Sequence, residues 1–259
     1  MKWRYCKTLR WAVMGVALVL AGSALAVTPK QAKPPAKPAG PVIAAGNYAT
    51  ERGVGSVDVT RQPDGRMLFR LISSAPDAQA CLMEGELKGR TVSVPTSAGN
   101  KPCEMRVTKT ASGFKLDEPG SGNVCRQFCG PRAEFAGTYF KLKPACVPAA
   151  IHKEQERARV QIENKAFVSA RDRLRILARD CQRTMDPWTE SRLRNDFATA
   201  QLKLGDLAGC RQTLEPLKEF AARNNANIRM SYPQAEADML VEILTVTRDL
   251  LEQCPAKQG

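Results

Sequence analysis

The chain is poor in the residues that most often carry chemistry. A single histidine, His152, stands among 259 residues, too few for a zinc site of paired cysteines and histidines. Cys125 and Cys129 lie four apart with no second pair of that kind, so no metal ligand set is read. There is no G-x-S-x-G elbow and no P-loop, and the Cys-x3-Cys spacing is not the C-x-x-C of thiol oxidoreductases. Glu84, Glu86, Asp117 and Glu118 are neighbours only along the chain, which does not make a hydrolytic pair. No catalytic residue, metal or cofactor is therefore assigned, and the expectation is a protein that is not an enzyme. Apolar runs are short as well: none reaches the roughly 20 residues of a membrane-spanning helix.

What is present begins with an address. Residues 1–10 carry Lys2, Arg4, Lys7 and Arg10 with no acid. Trp11 to Leu20 is uncharged and apolar, and Ala24-Leu25-Ala26 follows. That order matches a secretory signal peptide over residues 1–26, cleaved before Val27. No cysteine follows the apolar run closely enough for lipid attachment, so the expectation is a periplasmic protein that is not a lipoprotein and keeps no membrane span. Residues 27–45, rich in Pro, Ala and Lys, read as a stiff solvated linker. Of the formal charge of +13, four positive charges sit in the leader and three, Lys30, Lys33 and Lys37, in the tail. The remainder alternates with acids rather than forming a basic stripe, which argues against a nucleic-acid partner.

Periodicity then divides the mature chain in two. From residue 46 to 148 apolar residues alternate. Ser56 to Thr60, the turn Gln62-Pro63-Asp64-Gly65 and Met67 to Leu71 read as a hairpin. Further runs at 80–87, 90–94, 103–110 and 114–116 point to a small antiparallel β-barrel or sandwich. From 149 to 259 the period becomes helical. Ile162, Ala166, Ala170, Leu174, Leu177 and Cys181 predict one long helix, Pro187 to Leu204 a second, Leu207 to Leu217 a third, and a fourth follows Pro233. The fold class is thus α+β, a β domain followed by an antiparallel helical domain. Phe197 to Leu207, with Leu204-Gly205-Asp206 and then Pro216, resembles one tetratricopeptide repeat, with no second copy evident.

Eight cysteines follow the leader, an even number in a compartment where thiols oxidise, so disulfides are expected. Five precede Pro148 (Cys81, Cys103, Cys125, Cys129, Cys146) and three follow it (Cys181, Cys210, Cys254). Full pairing therefore requires a bridge across that point, with Cys146–Cys254 the first candidate. Cys181–Cys210, Cys81–Cys103 and Cys125–Cys129 are the accompanying ones. The alternative leaves one free cysteine on each side.

Val124 to Tyr139 reads VCRQFCGPRAEFAGTY. It resembles a recurrent C-x3-C-G-x-R-A-x-F-x-G-x-Y segment at the end of a β domain in exported proteobacterial proteins, a group loosely similar to LprI-type periplasmic lysozyme inhibitors. The resemblance extends over Gly46 to Cys146. The helical part lacks the closely spaced acidic and cysteine pattern of the LprI type. What the resemblance implies is a non-catalytic binding protein whose partner is a cell-envelope protein, a muralytic enzyme such as lysozyme being the candidate. An envelope scaffold or assembly factor, acting through tetratricopeptide-like helices, is the other reading. Arg132 of the motif, and Arg171, Arg175 and Arg179 at i, i+4 spacing, are the candidate partner-binding residues.

Overall fold

In the computed structural model, residues 42–75, 79–97, 101–118 and 124–255 are described. The expected signal peptide and all but the last four residues of the expected linker lie outside them. Alternation in the sequence becomes eight strands: β1 (Gly46–Thr50), β2 (Gly55–Arg61), β3 (Met67–Ser74), β4 (Ala80–Lys88), β5 (Thr91–Val94), β6 (Cys103–Lys109), β7 (Gly113–Asp117) and β8 (Gly137–Lys141). Each pairs antiparallel with the next, and β8 returns to β1, with Tyr48 opposite Lys141 and Thr50 opposite Tyr139. Closure leaves no free sheet edge and decides between the two expected architectures in favour of a barrel. Gly65 takes φ 85° in the β2–β3 turn, where an L side chain would be strained.

Inward-facing residues fill the barrel. Phe69, Leu71, Val92, Met105, Val107, Phe114 and Leu116 are fully buried. Phe114 stacks on Tyr139 at 5.2 Å and meets Tyr48 edge-on at 5.0 Å. Ile43, expected in the linker, is buried in this core, and Val42 N–H donates to Gly89 O, so the barrel begins upstream of residue 46.

The remaining elements are α1 (Pro148–Glu163), α2 (Phe167–Cys181), α3 (Pro187–Lys203), α4 (Leu207–Leu214), α5 (Lys218–Ala221), α6 (Asn225–Ser231) and α7 (Gln234–Gln253). The single long helix expected through residue 181 is broken. Lys165 adopts φ 61°, Lys165 N–H donates to Ile162 O and Ala166 N–H to Gln161 O. This is a Schellman cap with lysine where glycine is usual, and it turns α2 back along α1. The α3–α4 turn has the same geometry at Gly205 (φ 77°): Gly205 N–H donates to Leu202 O and Asp206 N–H to Gln201 O.

The two hairpins are copies in a stronger sense. Ile151, Gln155, Ala158, Ala170, Leu174, Leu177 and Cys181 are buried in the first; forty positions on, Ser191, Asn195, Ala198, Cys210 and Leu214 are buried in the second, and Leu217 and Ala221 just beyond it, in a 3-10 turn and α5. The correspondence is not evident from the sequence, because Lys165 stands where Gly205 does. After α4 the chain returns through α5 and α6, and α7 packs on α3. Their link is polar as well as apolar: Asn195 donates to Ile243 O at 2.9 Å, and Thr247 donates to Asn195 Oδ1 at 2.9 Å.

All eight cysteines among the described residues are oxidised: Cys81–Cys129, Cys103–Cys125, Cys146–Cys181 and Cys210–Cys254. The parity argument holds, since one bridge crosses Pro148, but every expected pairing is corrected. Cys81 and Cys103 cannot meet because β5 lies between their strands. Cys125 opens a 3-10 turn across the barrel mouth while Cys129 is extended and bridged to β4, so the two cysteines diverge. Cys146 precedes α1 and Cys181 ends α2, positions that the antiparallel hairpin brings together. That leaves Cys254, at the end of α7, to meet Cys210 on α4.

Candidate partner-binding surfaces

The Val124–Tyr139 motif is built into the end of the barrel. Ala133 and Phe135 are buried in its core. Ser73 Oγ donates to Glu134 O, Arg126 Nη1 to Ala133 O at 3.1 Å, and Tyr139 Oη to Phe135 O at 2.8 Å. Burial pushes the Tyr139 phenol well above its ordinary range, keeping it a neutral donor. With two disulfides holding its first turn, the segment is a plug, and its aromatics serve packing. Arg132 is exposed beside it, its backbone N–H held by Gln79 Oε1 at 2.7 Å.

The basic stripe of α2 is not a free cationic surface. Arg171 and Arg175 share Asp172 at 3.0 and 3.1 Å, and Arg179 pairs with Asp180, which also takes Lys143 at 3.6 Å. Such surface pairs contribute little stability, but they quench the charge the spacing suggested. The four candidate arginines are not brought together: Arg132 lies at the barrel mouth and the other three on α2.

Other side chains form a more consequential arrangement on α3. Its Leu193 packs with Leu174 and Leu177 of α2. Its Ala198 packs with Cys210, Leu214 and Leu250, from α4 and α7. Arg194 donates to Thr213 O at 3.0 Å, and Gln201 accepts from Thr213. With those sides occupied, one side remains, along Arg192, Asp196, Thr199 and Lys203, spaced four, three and four residues and so aligned on one face. Arg159 of α1 reaches over to it, 3.0 Å from Asp196. Burial raises the Asp196 carboxyl to about 6, against the lowering effect of Arg159 and Arg192, with Glu156 adding to the rise. Sequence reading missed all of these residues. The signal that could have found them is the forty-residue correspondence, which sets Glu156 and Asp196 at equivalent positions.

The outer side of the first hairpin is built differently. Leu193 and Ala200, buried in the second copy, correspond to Lys153 and Val160, which are exposed. Arg157 and Arg173 both pair with Glu154 there. A polar outer face is what the end of a helical array requires. His152 is exposed on this face, where it lines a shallow depression with Lys153 and Glu156. At the other end, α7 exposes Asp238, Glu242, Val246, Asp249 and Glu252. On the barrel wall, Ile72 and Leu82 face each other across β3 and β4 and are 46% and 61% exposed.

Among the described residues no helix is long and apolar enough to cross a membrane, and no group of three or more metal-ligating side chains assembles. Compared with family models, with curated proteins and with solved structures, the chain matches none.

Proposed function

We propose that this chain is a non-catalytic protein-binding protein of the bacterial periplasm, exported by its amino-terminal signal peptide, and that it works as a scaffold or assembly factor. The supporting observation is the pair of matched hairpins α1–α2 and α3–α4, extended by α7. Stacked helical pairs of this tetratricopeptide-like kind present side chains from successive helices to one partner. Four disulfides suit an oxidising, exported compartment. The closest approach of barrel to helices gives the array a fixed base. A Cβ on Gly53 would lie 2.7 Å from both Thr184 O and Asp186 N, and Arg183 sits 3.7 Å over the Phe140 ring.

The experiment is photo-crosslinking in the native envelope, with the reactive residue placed in turn at Thr199 on α3, at Val168 on α2 and at Leu82 on β4. Capture of a specific protein from a helix supports the scaffold; capture of none from Thr199, from Leu82 or from Val168 overturns protein binding. A second reading, inhibition of a peptidoglycan hydrolase, is favoured by the exposed Ile72–Leu82 pair on the barrel. It requires capture from Leu82 and slowed turnover of a lysozyme by the purified mature protein. Unchanged turnover across several lysozyme classes removes it.

A further inference from the structure

We infer that the free side of α3, with Arg159 of α1, is a docking surface for an acidic, extended segment of a protein partner. This rests on the protein-binding reading above and adds where the partner sits and what chemistry it brings.

Arg192 is half-buried on the central helix of the array and makes no hydrogen bond or ion pair among the described residues. Asp196, one turn along, feels its charge, but that carboxylate is already bonded by Arg159. Lys203, two turns beyond Asp196 on the same face, has no carboxylate partner among the described residues. A planar guanidinium presents five donors, so Arg192 is the group on this face best suited to receive a carboxylate in bidentate fashion. The contrast with α2 is direct, since Arg171, Arg175 and Arg179 each hold an acid of their own helix. Both ends of the array expose charges, and on its central helix the half-buried Arg192 stays unanswered among the described residues.

Arg192 and Lys203 are separated by about 16 Å along the helix axis. An extended chain covers that distance in about five residues. The matching partner therefore carries two carboxylates four to six positions apart, with small polar residues between them. Negative charge on Asp196 opposes such a segment, and Glu156 adds to the opposition. The other groups on the seam, Arg159 and Arg192, favour it. Protonation of Asp196 on acidification removes the opposing charge, so binding strengthens as pH falls from 7 toward 5.

The test uses the full mature protein and three fluorescein-labelled ten-residue peptides of Gly and Ser. The first carries two glutamates five positions apart, the second glutamines there, and the third lysines. Fluorescence anisotropy at low salt is expected to show the glutamate peptide binding at least tenfold more tightly than either of the others. Arg192→Gln and Lys203→Gln should each weaken it fivefold or more, while Lys153→Gln, on the outer face of α1, leaves it unchanged. Asp196→Asn should tighten binding at pH 7 and abolish its pH dependence. Far-UV circular dichroism and disulfide mapping check that each variant is folded. Equal binding of the glutamate and glutamine peptides overturns the inference, as does an equal loss from Lys153→Gln. Capture of a partner through another helix face, such as Val168 on α2, with no crosslink from Thr199 also overturns it, yet leaves the scaffold reading intact.

Discussion

The barrel and the helices reach stability in different ways. In the barrel one continuous core runs from Ile43 to Tyr139, and closure of β8 on β1 makes every strand depend on residues far along the chain. The helices bury three smaller clusters: one around Leu174 and Leu193, one around Cys210 and Leu250, and one around Ile228 and Leu240. Neighbouring helices supply nearly all of their contacts, as in arrays whose stability sums over units and interfaces. Disulfides follow the same division. Two tie the motif's first turn to the barrel, while Cys146–Cys181 staples the first hairpin and Cys210–Cys254 pins α4 to the end of α7. The barrel works as one unit, while the helical half is built from units that present similar surfaces in succession.

Phe114→Ala strikes that comparison hardest. The ring stacks on Tyr139 and touches Tyr48 and Phe69 edge-on, and its removal leaves a cavity at the centre of a closed sheet. The expected cost is about 3–5 kcal/mol. Hydrogen exchange should accelerate in all eight strands together. Leu240→Ala in α7 should instead cost about 2–4 kcal/mol and loosen α6 and α7 while α1 and α2 keep their protection. Exchange confined to β7 and its neighbours after Phe114→Ala would contradict a single cooperative barrel.

Replacing both Cys210 and Cys254 by alanine comes next. The bridge spans 44 residues, a loop for which chain-entropy models give about 3–4 kcal/mol. Urea unfolding followed by circular dichroism should show the helical transition moving to lower denaturant while the barrel transition holds. Were both to move together, the two halves would unfold as one.

How legible these halves were differs for physical reasons. Strand alternation and the Gln62-Pro63-Asp64-Gly65 turn exposed most of the barrel, because period two and turn chemistry are local. Closure was not legible, since β1 and β8 meet only through tertiary pairing of residues such as Tyr48 and Lys141. In the helical half, Asp186 and Gly205 marked real boundaries. Lys165 hid another because nothing local marks a lysine that takes positive φ, and that single omission displaced Cys181 and with it the expected Cys181–Cys210 and Cys146–Cys254 bridges. The candidate surface on α3 was illegible for a related reason: Asp196 and Arg159 face each other only once the hidden turn lays α1 against α3.

Asp196 supplies a pH test of the helical half alone. Its folded pKa of about 6 lies above the ordinary carboxylate value, so the folded state holds this proton more tightly than the unfolded state. The resulting stability is full below about pH 4 and is lost as pH rises through 6, amounting to at most about 3 kcal/mol. Thermal unfolding of Asp196→Asn should lack this decline between pH 4 and 6. An unchanged slope in the variant would assign the decline to other groups.

The smallest effect bears on whether α1–α2 and α3–α4 are equivalent units. Lys165 and Gly205 occupy the same place in two like caps, with φ of 61° and 77°. A non-glycine residue in that region is strained by about 1 kcal/mol. Glycine escapes the strain, although it gives the unfolded chain more freedom to lose. Lys165→Gly should therefore stabilise by about 0.5–1 kcal/mol. A Cβ on Gly205 meets nothing within 4 Å, so Gly205→Ala carries only the backbone cost and should destabilise by about 1 kcal/mol. Urea midpoints of the two variants should move in opposite directions by comparable amounts. If Lys165→Gly destabilised instead, the lysine side chain would be holding its turn through interactions that Gly205 lacks, and the two hairpins would share a shape without sharing the forces that set it.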